Sequence, residues 1–461
     1  MGFCLQTSYT VCMLKRLLQN TPETTLLLLA LIPLCVVRIL PSFHQPLETL
    51  GYDFGFYRYA ALHPTLTSGS LFTGIRGGYS HILFSFFYAL HIPPDSGLVA
   101  SLYIAAIALG VALFFLLRAH SRVAALCCCL LLACSVIQGQ AYSMFLWKTI
   151  LALPLVLFGL WAVERKKYVT LAGVLFALLL THRTSLFILL LTISTYGAVY
   201  MVQRKRWHLL GLSSLVLGLG AGLFHSTANQ VWHMLFNPSN SSVAEGIFPI
   251  NPHMVIVLVP IIALAIYGCK TLLKQNRLQI TMLFTSLCAA WILLRLPFFH
   301  RIYIYLDLGL LILSSVGLVT CWTKFKNNIA KGVLVTLGVI LFSVNIYTVT
   351  QTVPLISKSE MQEISSFSPS KPAPFVLAVS ADDGPWLLGY LHGARLAAPG
   401  LFEDTHSESD WQKFWLGEEQ QTFLSSFPKP LYIYDRSFKL PGPITHCLTK
   451  IAPNFSTYTC E

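Results

Sequence analysis

The chain has 461 residues, of which 55% are hydrophobic and only 11% charged, and its mean hydropathy is +0.65. A soluble globular protein carries about 25% charged residues, so this composition excludes an ordinary cytosolic enzyme, a disordered chain and a secreted disulfide scaffold. The net charge of +12 is unevenly placed: residues 1–351 hold 23 Lys/Arg against 7 Asp/Glu, and residues 352–461 hold 8 against 12. The basic excess belongs to the apolar part of the chain. It therefore argues against a nucleic-acid partner and for a transmembrane domain at 1–351 followed by a mildly acidic soluble domain at 352–461.

The first apolar run, Thr24 to Leu40, approaches the roughly 20 residues that cross a bilayer. No A-x-A-like cleavage site follows it, so it reads as a signal anchor. The segment from Pro41 to Gly97 forms the first external loop, and within it Tyr79 to Leu90 is too short to span and reads as a juxtamembrane helix. Ten further apolar runs follow: Leu98 to Leu117, Val123 to Ile137, Tyr142 to Val163, Tyr168 to Leu180, Thr184 to Val202, Trp207 to Phe224, Met254 to Cys269, Ile280 to Leu296, Ile302 to Trp322 and Val333 to Val349.

The basic residues recur in every second loop, at Lys15/Arg16, Arg118/Arg122, Arg165/Lys166/Lys167, Arg204/Lys205/Arg206, Lys270/Lys274/Arg277 and Lys324/Lys326/Lys331. The positive-inside rule makes those loops cytoplasmic. The N-terminus is then cytoplasmic and the tail from Thr352 extracytoplasmic. Ten of the twelve cysteines precede the tail and read as small apolar packing residues. Cys447 and Cys460 lie where an oxidising compartment allows pairing. Asn240-Ser-Ser and Asn454-Phe-Ser are glycosylation sequons on the same side.

In the tail, Pro374 to Ser380 and Leu431 to Tyr434 read as buried strands and Pro385 to Leu396 as a helix, which predicts a small α/β domain. It contains no GxGxxG, Walker, CxxC or HExxH motif, and it reads as a stabilising or acceptor-docking module.

Charge at membrane depth is expensive and marks function. Outside the cytoplasmic loops the cations are Arg38, Arg58, Arg76, Lys148, Arg183, Arg295 and Arg301, and the acids Glu48, Asp53, Asp95, Glu245 and Asp307. Lys148 falls about two turns into its span. Arg183 lies in the tight turn Thr181-His182-Arg183-Thr184, and Arg301 follows Pro297-Phe298-Phe299-His300. Three spans thus present cations on the external side, a pattern suited to an anionic headgroup, since Arg forks match phosphate oxygens two at a time. Arg38, Arg76 and Arg295 read instead as cations snorkelling to lipid phosphates, and Asp307 as an ion-pair partner for Lys148. His182 and His300 read as hydrogen-bonded turn residues beside the cations.

The stretch Gly51-Tyr52-Asp53-Phe54-Gly55-Phe56-Tyr57-Arg58-Tyr59 sets one acid among interfacial aromatics. Such a setting raises a carboxyl pKa and suits a general base that takes a proton from an acceptor hydroxyl. An N-cap for the following helix is the structural alternative for Asp53.

This arrangement resembles the first-loop acidic motif of the GT-C glycosyltransferase superfamily, which includes oligosaccharyltransferase catalytic subunits and protein O-mannosyltransferases. Gly77-Gly78-Tyr79-Ser80-His81 before an amphipathic helix is similar to its juxtamembrane helices, and the Thr181–Thr184 turn, the Arg301 span and the external tail resemble bacterial members. The resemblance implies a mainly α, polytopic fold of about eleven transmembrane helices with a small extracytoplasmic α/β domain. It makes Asp53 the catalytic acid and implies that the basic cluster holds the phosphate of a polyprenyl-phosphate sugar. Many members pair a second acid with the first, whereas here Gly51 and Tyr52 precede Asp53 and Phe54 follows it. Asp95 or Glu48 substitutes only if the fold brings it close, and a divalent cation wants several oxygen ligands, so no metal or other cofactor is expected.

The sequence reading is an inverting transfer of one sugar to a hydroxyl of a glycan, lipid or protein, with Asp53 as base and Arg58, Lys148, His182, Arg183, His300 and Arg301 on the substrate. Its alternatives are a multi-pass transporter or lipid flippase, in which repeats and midplane charges are usual, and a noncatalytic subunit of the same fold.

Overall fold

The computed structural model describes residues 21–44, 47–51, 53–62, 89–203, 252–296, 298–325, 327–367, 374–391, 393–436, 440 and 442–460. Lys15 and Arg16, Tyr52, Arg76 and the Gly77–His81 segment, Arg204 to Arg206, the expected span Trp207–Phe224, the Asn240 sequon and Glu245 lie outside the described residues. Two compact units emerge: Met1–Pro41, Ser101–Tyr142 and Lys148–Gln351 form one, and Ser42–Ala100, Ser143–Trp147 and Thr352–Glu461 the other.

The first unit is a helix bundle. It is built on α1 (Glu23–His44), α4 (Pro94–Arg118), α5 (Arg122–Cys134), α6 (Val136–Ser143), α7 (Trp147–Glu164), α8 (Tyr168–Thr181), α9 (Arg183–Gln203), α10 (Pro252–Gln275), α11 (Gln279–Leu293), α12 (Phe299–Lys324) and α13 (Asn328–Thr350). Seven of these helices are long and apolar enough to cross a membrane, α5 with α6 makes a bent pair, and α8 and α11 are shorter apolar helices. Each expected span within the described residues therefore falls on a helix. The protein is an integral, multi-pass membrane protein.

At the centre, α12 buries Ile304, Tyr305, Leu308, Leu311 and Ile312. α10 lies against α12 where Gly268 and Gly317 face each other's backbone, and a Cβ on either would overlap the carbonyl of Leu313 or Leu264; small residues allow this approach where lipid supplies no hydrophobic drive between helices. By contrast α13 exposes Ile329, Val333, Val339, Ile340 and Tyr347, an apolar surface that calls for lipid rather than water.

Two expectations for this unit are corrected. The run Val123 to Ile137 is not one straight helix, because it breaks at Ser135 with a 54° bend between α5 and α6. Ser135 is extended, its hydroxyl donates to Asp307 at 2.7 Å, and the same oxygen accepts from the Gln138 N–H at 3.1 Å, so one side chain closes α5 and caps α6. As a result the next helix starts at Trp147 rather than Tyr142, and Lys148 sits in its first turn, not two turns inside.

The second unit holds α2 (Leu47–Leu50) and α3 (Phe54–Leu62) of the first loop together with the tail. The tail comprises α14 (Lys358–Ser366), β1 (Phe375–Ala378), α15 (Gly384–Tyr390), β2 (Arg395–Ala398), β3 (Leu401–Phe402), α16 (Glu408–Leu416), α17 (Gln420–Ser425), β4 (Leu431–Tyr434), β5 (Leu448–Lys450) and β6 (Phe455–Tyr458). Its sheet runs β3-β2-β1-β4-β6-β5, with β1 parallel to β2 and β4 and the other pairs antiparallel. β1 and β4 are buried along their whole length, as expected of strands flanked on both sides. Phe375, Leu377, Trp411, Phe414, Leu431 and Ile433 form the core, and Ser357 and Ser407 close capping boxes on α14 and α16. The helix expected to reach Leu396 ends at Tyr390, because Leu391 turns extended and Gly393 takes φ +73°, which frees Arg395–Ala398 to join the sheet. Cys447 and Cys460 form a disulfide.

Candidate active site

In the first unit, α8 closes at Thr181 and His182 follows in an extended conformation, outside both flanking helices. Ser185, in the first turn of α9, donates its backbone N–H to His182 Nδ1 at 3.3 Å and places its hydroxyl 2.8 Å from the same nitrogen. The Ser185 hydroxyl meets the Tyr305 hydroxyl of α12 at 2.5 Å. Nδ1 therefore accepts, and the ring proton of the neutral imidazole resides on Nε2. Burial pushes the His182 pKa down to about 3, and the charges of Arg301 and Lys148 act in the same direction. His182 is thus an uncharged N–H donor on which the charges of Arg301 and Lys148 act.

Those cations arrive from separate helices, Lys148 from the first turn of α7 and Arg301 from the first turn of α12, one helical turn before Tyr305. Arg301 Nε is buried without a hydrogen-bond partner. His300 precedes it, its ring 4.2 Å from that of Phe299. Arg183 begins α9, and its side chain lies outside the described residues. An electropositive spot with a neutral N–H and an unmatched guanidinium edge is the chemistry that takes a phosphate.

A second polar group, which the sequence did not reveal, gathers at the α5–α6 break. Arg38 is 2% exposed, donates to the Leu132 carbonyl at 3.0 Å and lies over the Tyr142 ring at 4.8 Å. It is enclosed by protein and does not snorkel. Asp307 accepts from Ser135 and from Gln138 Nε2 at 3.1 Å, and its charge acts on Arg38, so the expected Lys148 ion pair is replaced by this network. Asn345 of α13 donates to the Ala133 carbonyl at 2.6 Å. Gly139 has no side chain because a Cβ there would come within 2.8 Å of the Asn345 amide oxygen and 3.3 Å of Arg38 Nη1.

In the second unit Asp53 immediately precedes α3, and its carbonyl accepts from the Tyr57 N–H at 3.2 Å. Three fixings hold this helix. Phe54 is fully buried with its ring edge 4.7 Å from Phe145. Gly55 lies directly on the Pro385–Trp386 backbone, with Gly389 against Gly55, so neither position has room for a Cβ. Arg58 pairs with Asp95 at 2.8 Å, donates to the Gly389 carbonyl and lies 4.2 Å over the Tyr390 ring. Asp95, one of the two acids considered as a partner for Asp53, is thus held by Arg58, and the Glu48 side chain lies outside the described residues. Among the described residues, His446 with Cys447 and Cys460 is the one grouping of potential metal ligands, and its two sulfurs form the disulfide.

No protein-family model matches the sequence, and no curated protein is similar to it. Solved structures do match. The oligosaccharyltransferase of Archaeoglobus fulgidus, in complex with Zn and sulfate, is similar with a TM-score of 0.54 at 13% identity, over 89% of this chain and 68% of its own. ArnT from Cupriavidus metallidurans is similar in its apo state, with a TM-score of 0.55 at 12% identity over 95% of this chain and 98% of its own. Its undecaprenyl phosphate-bound state gives 0.56 at 14% identity over the same shares, 95% and 98%. At such identities the likeness concerns architecture, and the chain has the polytopic fold of the GT-C glycosyltransferases.

Proposed function

We propose that this protein is an inverting membrane glycosyltransferase that moves one sugar from a polyprenyl-phosphate donor to an acceptor hydroxyl at the extracytoplasmic face. The observation that carries the reading is a buried His182 whose Nδ1 is held by Ser185, with the charges of Arg301 and Lys148 acting on it, in a chain of GT-C fold. One similar structure, ArnT, is described as bound to undecaprenyl phosphate, which supports a lipid phosphate as the donor's carrier. The sidedness is supported by the alternate basic loops and by the tail disulfide, since disulfides persist in oxidising compartments.

In the reaction the acceptor oxygen attacks the anomeric carbon from the face opposite the phosphate. A new C–O bond forms while the bond from that carbon to the phosphate oxygen breaks, its electron pair leaving with the polyprenyl phosphate. The Asp53 carboxylate takes the hydroxyl proton, and the configuration inverts. Lys148, Arg301 and Arg183 balance the charge growing on the departing phosphate, the kind of stabilisation that usually supplies most of the rate. His182 adds a hydrogen bond through Nε2–H, and His300 lies one residue from Arg301 to assist. Arg58, engaged by Asp95, Gly389 and Tyr390, serves the substrate by holding the helix that follows Asp53.

The test uses the full chain in nanodiscs with a polyprenyl-phosphate sugar. Asp53→Asn is expected to lower transfer by about 10²–10⁴-fold with donor binding kept, and Lys148→Ala and Arg301→Ala to raise the donor KM. Full activity in Asp53→Asn would remove Asp53 from the mechanism.

A further inference from the structure

In the second unit a cleft of about 240 Å³ opens beside α3. Tyr59 and Phe402 line it with aromatic rings, Leu387 and Leu396 are buried at its floor, and Arg395 and Glu403 stand at its mouth. It is smaller than the roughly 300–1,000 Å³ that holds a drug-sized molecule, a size for one ring and not for a chain. The Arg395 Nε lies 3.0 Å and 3.2 Å from the two Glu403 oxygens. That pair is neutral as a whole and offers donors and acceptors side by side, which suits vicinal hydroxyls better than a charged ligand. Aromatic faces over a buried apolar floor suit the C–H face of a pyranose.

Two features join the cleft to Asp53. Phe56, three residues after Asp53 and so close to its side of α3, has its ring 5.9 Å from that of Phe402. Tyr59 comes six residues after Asp53, a rise of about 9 Å along the helix and about 120° around it. Phe402 also holds φ +62°, a left-handed conformation that a bulky residue rarely adopts. Strain of that kind persists where surroundings impose it and clusters at ligand clamps.

We infer that this cleft is the acceptor subsite and that the acceptor is a glycan, one ring seated between Tyr59 and Phe402 with its hydroxyls on the Arg395–Glu403 pair, the next presenting its hydroxyl to Asp53. The inference rests on the reading of Asp53 as the base. The transfer is the one written above: the acceptor oxygen gains the anomeric carbon, its proton passes to Asp53, and the polyprenyl phosphate leaves with the bonding pair.

The experiment presents the full chain in nanodiscs to an array of immobilised oligosaccharides and, beside it, an array of Ser/Thr-containing peptides. Retention on oligosaccharides is expected, weakened about tenfold by Phe402→Ala and by Glu403→Gln, as loss of an aromatic or charge-assisted contact predicts. Asp53→Asn is read by transfer and not by retention, since it alters proton transfer and not the cleft. Glu403→Gln acts on a side chain at the surface, so it carries the test if Phe402→Ala unfolds. No retention on any oligosaccharide, retention indifferent to both cleft variants, or retention on peptides instead would overturn the inference. An active Asp53→Asn enzyme whose acceptor KM still rises with Glu403→Gln would sink the base and leave the cleft standing, which keeps the two failures apart.

Discussion

Asp307→Ala tests the buried network at the α5–α6 break. The aspartate accepts from Ser135 and Gln138, and it is an acid whose charge acts on Arg38, which is 2% exposed. Its removal leaves an enclosed guanidinium, bonded to the Leu132 carbonyl and not to the aspartate, without that counter-charge; breaking a buried pair from one side costs about 3–5 kcal/mol, and the lower end applies where the charge acts at a distance. Orphaning a donor adds about 1–3 kcal/mol, but Gln138 Nε2 keeps the Ile304 carbonyl at 2.9 Å, so only Ser135 bears the loss in full. A destabilisation of about 4–6 kcal/mol follows. At about 2–4 °C per kcal/mol for a unit of this size, the melting midpoint in detergent should fall by roughly 8–24 °C. Arg38→Met alone should cost a similar amount by stranding the carboxylate. The double variant Arg38→Met/Asp307→Leu should cost less than the two singles added together, because an apolar pair of similar volume replaces both charges. Arg301 and Tyr305 lie less than two turns before Asp307 on α12, so Asp307→Ala should also raise the donor KM. Strict additivity of the singles, or a single-variant loss under about 1 kcal/mol, would refute the argument.

Further outcomes are expected at the other sites. His182→Ala should raise the donor KM by about tenfold, a neutral hydrogen bond's worth, and His182→Gln, which keeps an N–H donor, should recover part of it. With the imidazole held at about 3, the rate profile between pH 5 and 8 should carry no limb that His182→Gln removes. Gly389→Val inserts atoms where Gly55 already touches, so kcat should fall at least tenfold with donor binding kept, read from single-turnover transfer beside equilibrium binding of the polyprenyl phosphate. Burial pushes the Asp383 carboxyl up to about 6, opposed by Arg436 and helped by Asp382, Glu360 and Asp435. Its folded value exceeds its unfolded one, so its stabilising contribution is complete below about pH 4 and fades as pH rises through 6. Calorimetry should show that Asp383→Asn flattens this fall, by up to about 3 kcal/mol between pH 4 and 7.

What the sequence made legible was whatever depends on one segment and its solvent. A span announces itself because roughly twenty apolar residues have few alternatives. β1 and β4 were readable for the same reason, as apolar runs with no polar face. The site was legible only as residue types at helix ends: Lys148, His182 and Arg301 were singled out by charge and turn position, yet Ser185 and Tyr305, which fix the His182 tautomer, are an ordinary serine and tyrosine until the fold brings α9 to α12. The break at Ser135 was illegible because its cause stands 172 residues away at Asp307; a serine in an apolar run usually bonds back to its own helix. Arg38 was misread likewise, since a cation near a helix end snorkels unless a partner encloses it, and its acceptor, Leu132, lies 94 residues on.

The glycines follow the same logic. Gly51, Gly55 and Gly389 each look like loop or helix punctuation, yet Gly51 lies against Phe145 and the Met144 carbonyl, and Gly55 and Gly389 bring the first loop and the tail backbone to backbone two residues after Asp53. A side chain on any of them would move that acid's helix without touching substrate. The tail therefore belongs to what holds α3, the helix that follows the proposed base. This makes a sharp demand on truncation: removing residues 352–461 should abolish transfer while leaving the donor's phosphate bound, and a truncated chain that still transfers sugar would show that α3 is held by other means.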